Sequence, residues 1–303
     1  MKCRNRVWDY IFLARPILLV PVWAFFLLGY LKAGGQRFYF NKTFLLTIIT
    51  YTVLVANLYI LNQIADRKSD AINQKHLLIA EGIISLHHAY MAVFVLAFIT
   101  ILLCGKLPLI IIIFMLISFL FGIFYSFSPF KLKAVAFADF LINGIGYGFL
   151  NFSLGWLTNK QISIQMVISA LPYLFAVSAI FVNTTVLDIE GDRKCGYKTT
   201  GVLLGKTNSA RLALLLIIAC IISAVITVDY ICLIPALISL PLFFLAGFKG
   251  SERDIQLSIR IGGPLLILIV GIIFPYFLLL SLLVLIFLRI YYKKIFGIIY
   301  PNL

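Results

Sequence analysis

An all-α, polytopic membrane fold is what this sequence predicts, and three observations predict it. Hydrophobic residues make up 63% of the 303 and charged residues only 12%, with a mean hydropathy of +1.09. A soluble domain carries about 25% charge, so this chain has too few polar groups to face water all round. Apolar runs at 43–61, 107–127 and 212–228 each approach the roughly 20 residues a helix needs to cross a bilayer. The runs also lack the alternation of barrel strands, and lipid leaves an unpaired backbone only the helix.

Taken in order, spans are expected near 17–33, 43–65, 85–104, 107–127, 134–155, 165–187, 208–228 and 230–248. A last one lies inside 261–292, where Pro275 allows one kinked helix or a helix pair; taken as one crossing, it gives nine. No Pro-, Ser- or charge-rich linker interrupts the chain, so residues 1–303 read as one membrane-embedded domain. The basic start (Lys2, Arg4, Arg6) leads into only a short apolar stretch, Trp8 to Ala14, with no small-residue cleavage site; no removable signal peptide is expected. Cys3, Cys104, Cys195, Cys220 and Cys232 are scattered without a CxxC pair, which suggests neither a disulfide framework nor a zinc site.

Nine spans put the N-terminus and the loops after helices 2, 4, 6 and 8 on one face. That face collects 17 of the 25 Lys and Arg residues: Lys2, Arg4, Arg6, Arg15, Arg67, Lys68, Lys75, Lys131, Lys133 and eight between Arg193 and Arg260. The positive-inside rule assigns it to the cytoplasm, and a plasma-membrane location is expected. The net charge of +14 is therefore a property of inner loops, and no nucleic-acid partner is expected.

Five of the eleven acidic residues crowd two segments of that face. The first reads Asn62-Gln-Ile-Ala-Asp66-Arg67-Lys68-Ser-Asp70. Spacing by four aligns Asn62, Asp66 and Asp70 on one helical face. Carboxylates so aligned repel one another unless a cation sits among them, and hard oxygen ligands suit Mg²⁺, which keeps water and substrate phosphate in its shell. The second reads Asp188-Ile-Glu190-Gly191-Asp192-Arg193-Lys194-Cys-Gly196-Tyr-Lys198-Thr199 and repeats the spacing at Asp188 and Asp192. Carboxylates beside Arg and Lys form a site of mixed polarity suited to a diphosphate. No GxGxxG or GxxxxGK[ST] sequence supports a nucleotide. A third segment, Tyr125-Ser126-Phe-Ser128-Pro129-Phe130-Lys131-Leu-Lys133, follows helix 4 on the same face, with Lys131 and Lys133 in reach of an anion.

These segments resemble the UbiA-type intramembrane prenyltransferases along nearly the whole chain. The first resembles the family's NxxxDxxxD motif, with Gln63 where a further Asp is common; the second resembles DxxxD. The wording DIEGDRKCGYKT, then Gly205, is similar to the homogentisate and chlorophyll branch. YSFSPFKLK is similar to that branch's YSxPPFRLK, and Arg15-Pro16 to its RP opening. The resemblance implies about nine helices around a central cavity with a cap of loops. It implies that Asn62, Asp66 and Asp70 hold one Mg²⁺ and Asp188 and Asp192 a second, the two bridging the diphosphate. Arg15, Lys131 and Lys198 match its diphosphate contacts, with Arg67 and Arg193 as further candidates.

The activity so implied is transfer of an isoprenyl chain from a donor such as geranyl, farnesyl or geranylgeranyl diphosphate to a lipophilic, aromatic acceptor. A glycerol-type lipid, as in archaeal ether-lipid synthesis (a digeranylgeranylglyceryl phosphate synthase-like reaction), is the alternative acceptor. A transporter of lipid diphosphates is the alternative of another class, although transporters favour charge at the midplane rather than at helix ends. Tyr125 and Tyr147 are candidates to face an allylic cation. Asp139 and Asn143, polar at membrane depth, are expected to touch the acceptor or to pair with Lys131 or Lys133.

Overall fold

The apolar runs fold as helices throughout. The structure, a computed structural model, describes residues 7–72 and 76–300, and no strand occurs among them. The basic residues Lys2, Arg4, Arg6 and Lys75 and the thiol of Cys3 lie outside the described residues. The helices are α1 (Val7–Leu13), α2 (Pro16–Lys32), α3 (Lys42–Ile72), α4 (Leu86–Cys104) and α5 (Leu109–Ser126). Next come α6 (Ala138–Asn143), a π-helical stretch (Gly144–Leu150) and α7 (Asn151–Trp156), continuous with one another. Then follow α8 (Ile164–Leu187), α9 (Ile189–Lys194), α10 (Thr200–Ile226), α11 (Tyr230–Lys249), α12 (Glu252–Ile273) and α13 (Pro275–Phe296). Among the described residues eight of these are long and apolar enough to cross a membrane, and the broken pair α1–α2, bent by 51°, makes a ninth. The run α6–π–α7 also passes from end to end: Asp139 at its start meets Thr200, and Thr158 just past its end accepts from Asn41 before α3. The chain is an integral, multi-pass membrane protein.

The stretch 261–292 departs from the expectation of one kinked crossing. Pro275 removes the amide that would continue the helix, and the chain reverses at Phe274 rather than bending. α13 runs back alongside α2, and Tyr291 Oη donates to Asp9 Oδ1 in α1 at 2.6 Å. Among the described residues this stretch therefore holds two membrane-length helices in place of one, and α13 brings Arg289, Lys293 and Lys294 to the motif end.

Close helix contact in the middle of the bundle depends on two glycines. A Cβ at Gly29 of α2 would run into the Phe152 carbonyl of α7, and one at Gly155 into the Phe26 carbonyl. Backbone touches backbone there, as small residues allow inside membranes. Around this seam lie Phe26, Leu28, Tyr30, Phe152, Trp156 and Tyr173, all fully buried. A second apolar cluster closes the motif end: Phe12 and Leu13 of α1, Leu78, Ile79, Ile83 and Ile84 of the α3–α4 connection, and Leu288, Tyr291 and Tyr292 of α13. At the opposite end Asp229, fully buried, caps α11 and is satisfied by Tyr173 Oη at 2.7 Å and Lys32 Nζ at 3.1 Å.

Candidate functional site

α3 is 31 residues long, about 46 Å at the helical rise. It outlasts the hydrocarbon by several turns, and those turns carry Asn62, Asp66 and Asp70. α8 ends at Leu187, so Asp188 opens a connection through α9 in which Asp192 follows one turn later. Both segments emerge at the same end and border a cavity of about 480 Å³. Its wall includes Arg15, Asn62, Asp66, Asp70, Tyr125, Lys133, Asn143, Tyr147, Asp188 and Asp192. Apolar side chains line it as well, among them Val22, Val55, Leu58, Phe121, Ile142 and Phe181.

The first motif is held by its neighbours. Asn62 Nδ2 donates to Asp66 Oδ2 at 3.0 Å and to Ser126 Oγ at 3.1 Å, which ties α3 to the end of α5. Lys133, in the turn Leu132–Ala134, places its ammonium on Asp66 Oδ1. Burial pushes the Lys133 pKa down to about 8, against the opposing pull of Asp192. In the second motif Asp192 Oδ2 accepts from Thr199 Oγ1 at 2.8 Å. Lys198 N donates to Ala134 O at 3.0 Å, so the second and third segments are joined through their backbones.

Arg15 reaches the cavity from the break between α1 and α2. Pro16 opens α2, and Arg15 takes the left-handed backbone conformation, φ 51° and ψ 61°. For a non-glycine residue that costs about 1–2 kcal/mol, which the surrounding structure offsets.

Four further candidates stand elsewhere. Arg67 follows Asp66 directly, so it lies about 100° round the helix and does not line the cavity. Lys131 lies over the Tyr197 ring, 4.5 Å from its centroid. Arg193 and Lys198 are exposed, and neither is on the wall. Asp139 does not pair with Lys131 or Lys133: its carboxylate accepts from Thr200 N and Thr200 Oγ1, each at 2.6 Å, and from Phe140 N at 2.8 Å. It is a clasp between α6 and α10. Asn143 Nδ2 donates to Asp139 O at 2.7 Å while lining the cavity.

Further polar groups line the cavity, of which the sequence pointed only to Tyr147. Tyr51 Oη donates to Asn151 Oδ1 at 2.5 Å and lies 3.1 Å from Ser118 Oγ, while Tyr59 Oη lies 2.6 Å from Tyr147 Oη. All five line the cavity. Polar groups inside otherwise apolar runs are the signal that would have found Tyr51, Ser118 and Asn151.

The donor set suits Mg²⁺ of the open kind. Among the described residues no three acidic, His or Cys side chains gather as a ready-made metal cage. Mg²⁺ is typically held by one or two carboxylates, with water and substrate phosphate completing the shell. Two carboxylate pairs facing one cavity, the first with an amide beside it, fit that pattern.

The chain is similar to known proteins in sequence and in fold. The bacteriochlorophyll synthase 34 kDa chain of Chloroflexus aurantiacus is 27% identical over 203 residues, covering 66% of this chain and 65% of that protein. The probable homogentisate phytyltransferase 2 of Oryza sativa subsp. japonica is 34% identical over 175 residues, 54% of this chain and 46% of that one. The chain thus spans less than two thirds of the length of these curated relatives. The structure of a UbiA homolog from Archaeoglobus fulgidus bound to GPP and Mg²⁺ shares the fold, with a TM-score of 0.67 at 18% identity over 88% of this chain and 99% of that one. The model of the UbiA prenyltransferase family matches residues 22–254, and the chain belongs to that family.

Proposed function

We propose that the protein is a Mg²⁺-dependent intramembrane prenyltransferase that moves an isoprenyl chain from an isoprenyl diphosphate to a lipophilic, aromatic acceptor. The observation that carries this reading is the single cavity bordered by Asp66, Asp70, Asp188 and Asp192 above an apolar wall. Asn62, Asp66 and Asp70 would hold one ion, Asp188 and Asp192 a second. Bound there, Mg²⁺ supplies neutralisation of the diphosphate, which makes it a better leaving group. Arg15 would bind the diphosphate, and Lys133 would meet the charge that gathers on it as the C–O bond breaks and its electron pair leaves with oxygen. The apolar wall keeps water from the allylic carbon until the acceptor carbon bonds to it and loses its proton. The rings of Tyr125 and Tyr147 line the cavity and present faces that attract positive charge.

The relatives named for chlorophyll and homogentisate chemistry support an aromatic or macrocyclic acceptor. The motif end is assigned to the cytoplasm of the plasma membrane. Among the described residues only Lys32, Arg37, Lys42, Lys106 and Lys160 of the Lys and Arg lie at the other end.

Purified protein incubated with Mg²⁺, a membrane lipid extract and labelled geranyl, farnesyl or geranylgeranyl diphosphate tests the reading. The mass of the labelled product identifies donor and acceptor, and a glycerol-type lipid product would replace the aromatic one. Asp66→Ala and Asp192→Ala are each expected to abolish transfer while the protein stays folded. Full activity in either would refute the two-metal scheme, and diphosphate binding without turnover would favour a transporter.

A further inference from the structure

Gln63 is the residue beside Asn62 in the first motif, yet it does not line the cavity. It is 2% exposed and points the other way round α3, toward α1. Its Nε2 donates to Leu13 O at 2.6 Å and to Tyr59 O at 3.4 Å. Leu13 is the last residue of α1, where the helix stops and no following turn supplies an N–H to its carbonyl. Leu13 is also fully buried in the apolar cluster with Phe12, which stacks on Tyr291, so water cannot take the place of that donor.

Two residues on stands Arg15, left-handed and at the cavity wall. Its N–H donates to Phe12 O at 3.1 Å, and its carbonyl accepts from Leu18 N at 2.9 Å. A non-glycine residue stays in that conformation only when its surroundings over-determine it. The carbonyl between these two contacts is the one Gln63 satisfies. Remove its donor and a buried acceptor is orphaned, which the chain relieves by turning the peptides between Leu13 and Arg15. The Arg15 side chain would swing with them.

We propose that Gln63 is a positioning residue: it anchors the α1–α2 break to the first motif and so aims Arg15 at the diphosphate. The proposal rests on the reading of Arg15 as a diphosphate contact. One helix then presents Asn62 to the cavity and Gln63 to the backbone that carries Arg15. A carboxylate at position 63 has no N–H for that carbonyl and sets like partial charges against each other.

A double-mutant cycle tests it, read as donor KM and kcat and as pyrophosphate binding with Mg²⁺ by calorimetry. Gln63→Leu is expected to raise donor KM and weaken pyrophosphate binding about tenfold, with kcat changed less than about twofold. In an Arg15→Ala background it is expected to add nothing. Gln63→Glu is expected to behave like Gln63→Leu, and Gln63→Met stands in if Gln63→Leu fails to accumulate as folded protein. Effects of Gln63→Leu and Arg15→Ala that multiply, a kcat that falls as far as KM rises, or an unchanged KM would each overturn the proposal. An Arg15→Ala variant with normal donor KM would remove Arg15 from the site, and this proposal with it, leaving prenyl transfer to stand on the aspartate variants.

Discussion

Lys131 and Lys133 are two residues apart in the same loop and face different partners. Lys131 takes a left-handed backbone, φ 40°, and its ammonium rests over the Tyr197 ring. Lys133 enters the cavity and pairs with Asp66. A donor fixed in a water-poor site contributes far more to a developing anion than one held at the rim. Lys133→Ala is therefore expected to lower kcat/KM about 100-fold or more, and Lys131→Ala to change it less than about threefold. Steady-state kinetics on the two purified variants checks this, and the reverse order would exchange their roles. From the sequence the two were equivalent, because alternation in an irregular loop says nothing of which side chain turns inward. The aspartates were legible for the opposite reason: a period of four in a helix aligns side chains whatever the helix packs against.

Among the helices, the seam between α2 and α7 decides where the cavity walls stand. Gly155 abuts the Phe26 carbonyl and Gly29 the Phe152 carbonyl, and a methyl at either position has backbone rather than a flexible side chain in its way. Gly155→Ala is expected to destabilise by about 1–3 kcal/mol or more through overpacking. A lowered thermal unfolding midpoint in detergent would show it, and an unchanged midpoint would mean that the helices separate without cost. The same element-scale view explains Asp139. Its carboxylate gathers Thr200 N and Oγ1 and Phe140 N, joining the start of α6 to the start of α10. α10 is itself broken at Gly205, whose φ of 70° suits glycine. Polarity at membrane depth marked Asp139 as unusual, but its partner lies 61 residues away and no local pattern names it.

Across the whole molecule, the return of α13 places both ends of the described chain, near Tyr291 and Asp9, beside the motif loops. Cysteine introduced at Lys294 is thus expected to share the sidedness of cysteine at Lys194, with cysteine at Lys160 on the other side. Labelling intact cells with an impermeant maleimide reads this; labelling of Lys160→Cys alone supports the cytoplasmic assignment, and opposite behaviour of the 194 and 294 positions would undo the two-helix reading of 252–296. Mean hydropathy and run length were enough to determine a helical membrane bundle, since lipid admits no other open backbone. The two acidic segments and their period determined which faces bear the aspartates, since helical geometry is local. Tertiary structure alone decided that the two segments border one cavity, that Lys133 rather than Lys131 enters it, and that Gln63 bonds the Leu13 carbonyl two residues before Arg15. Those outcomes depend on contacts between residues far apart in the chain, and such contacts are set by packing rather than by any repeat in the sequence.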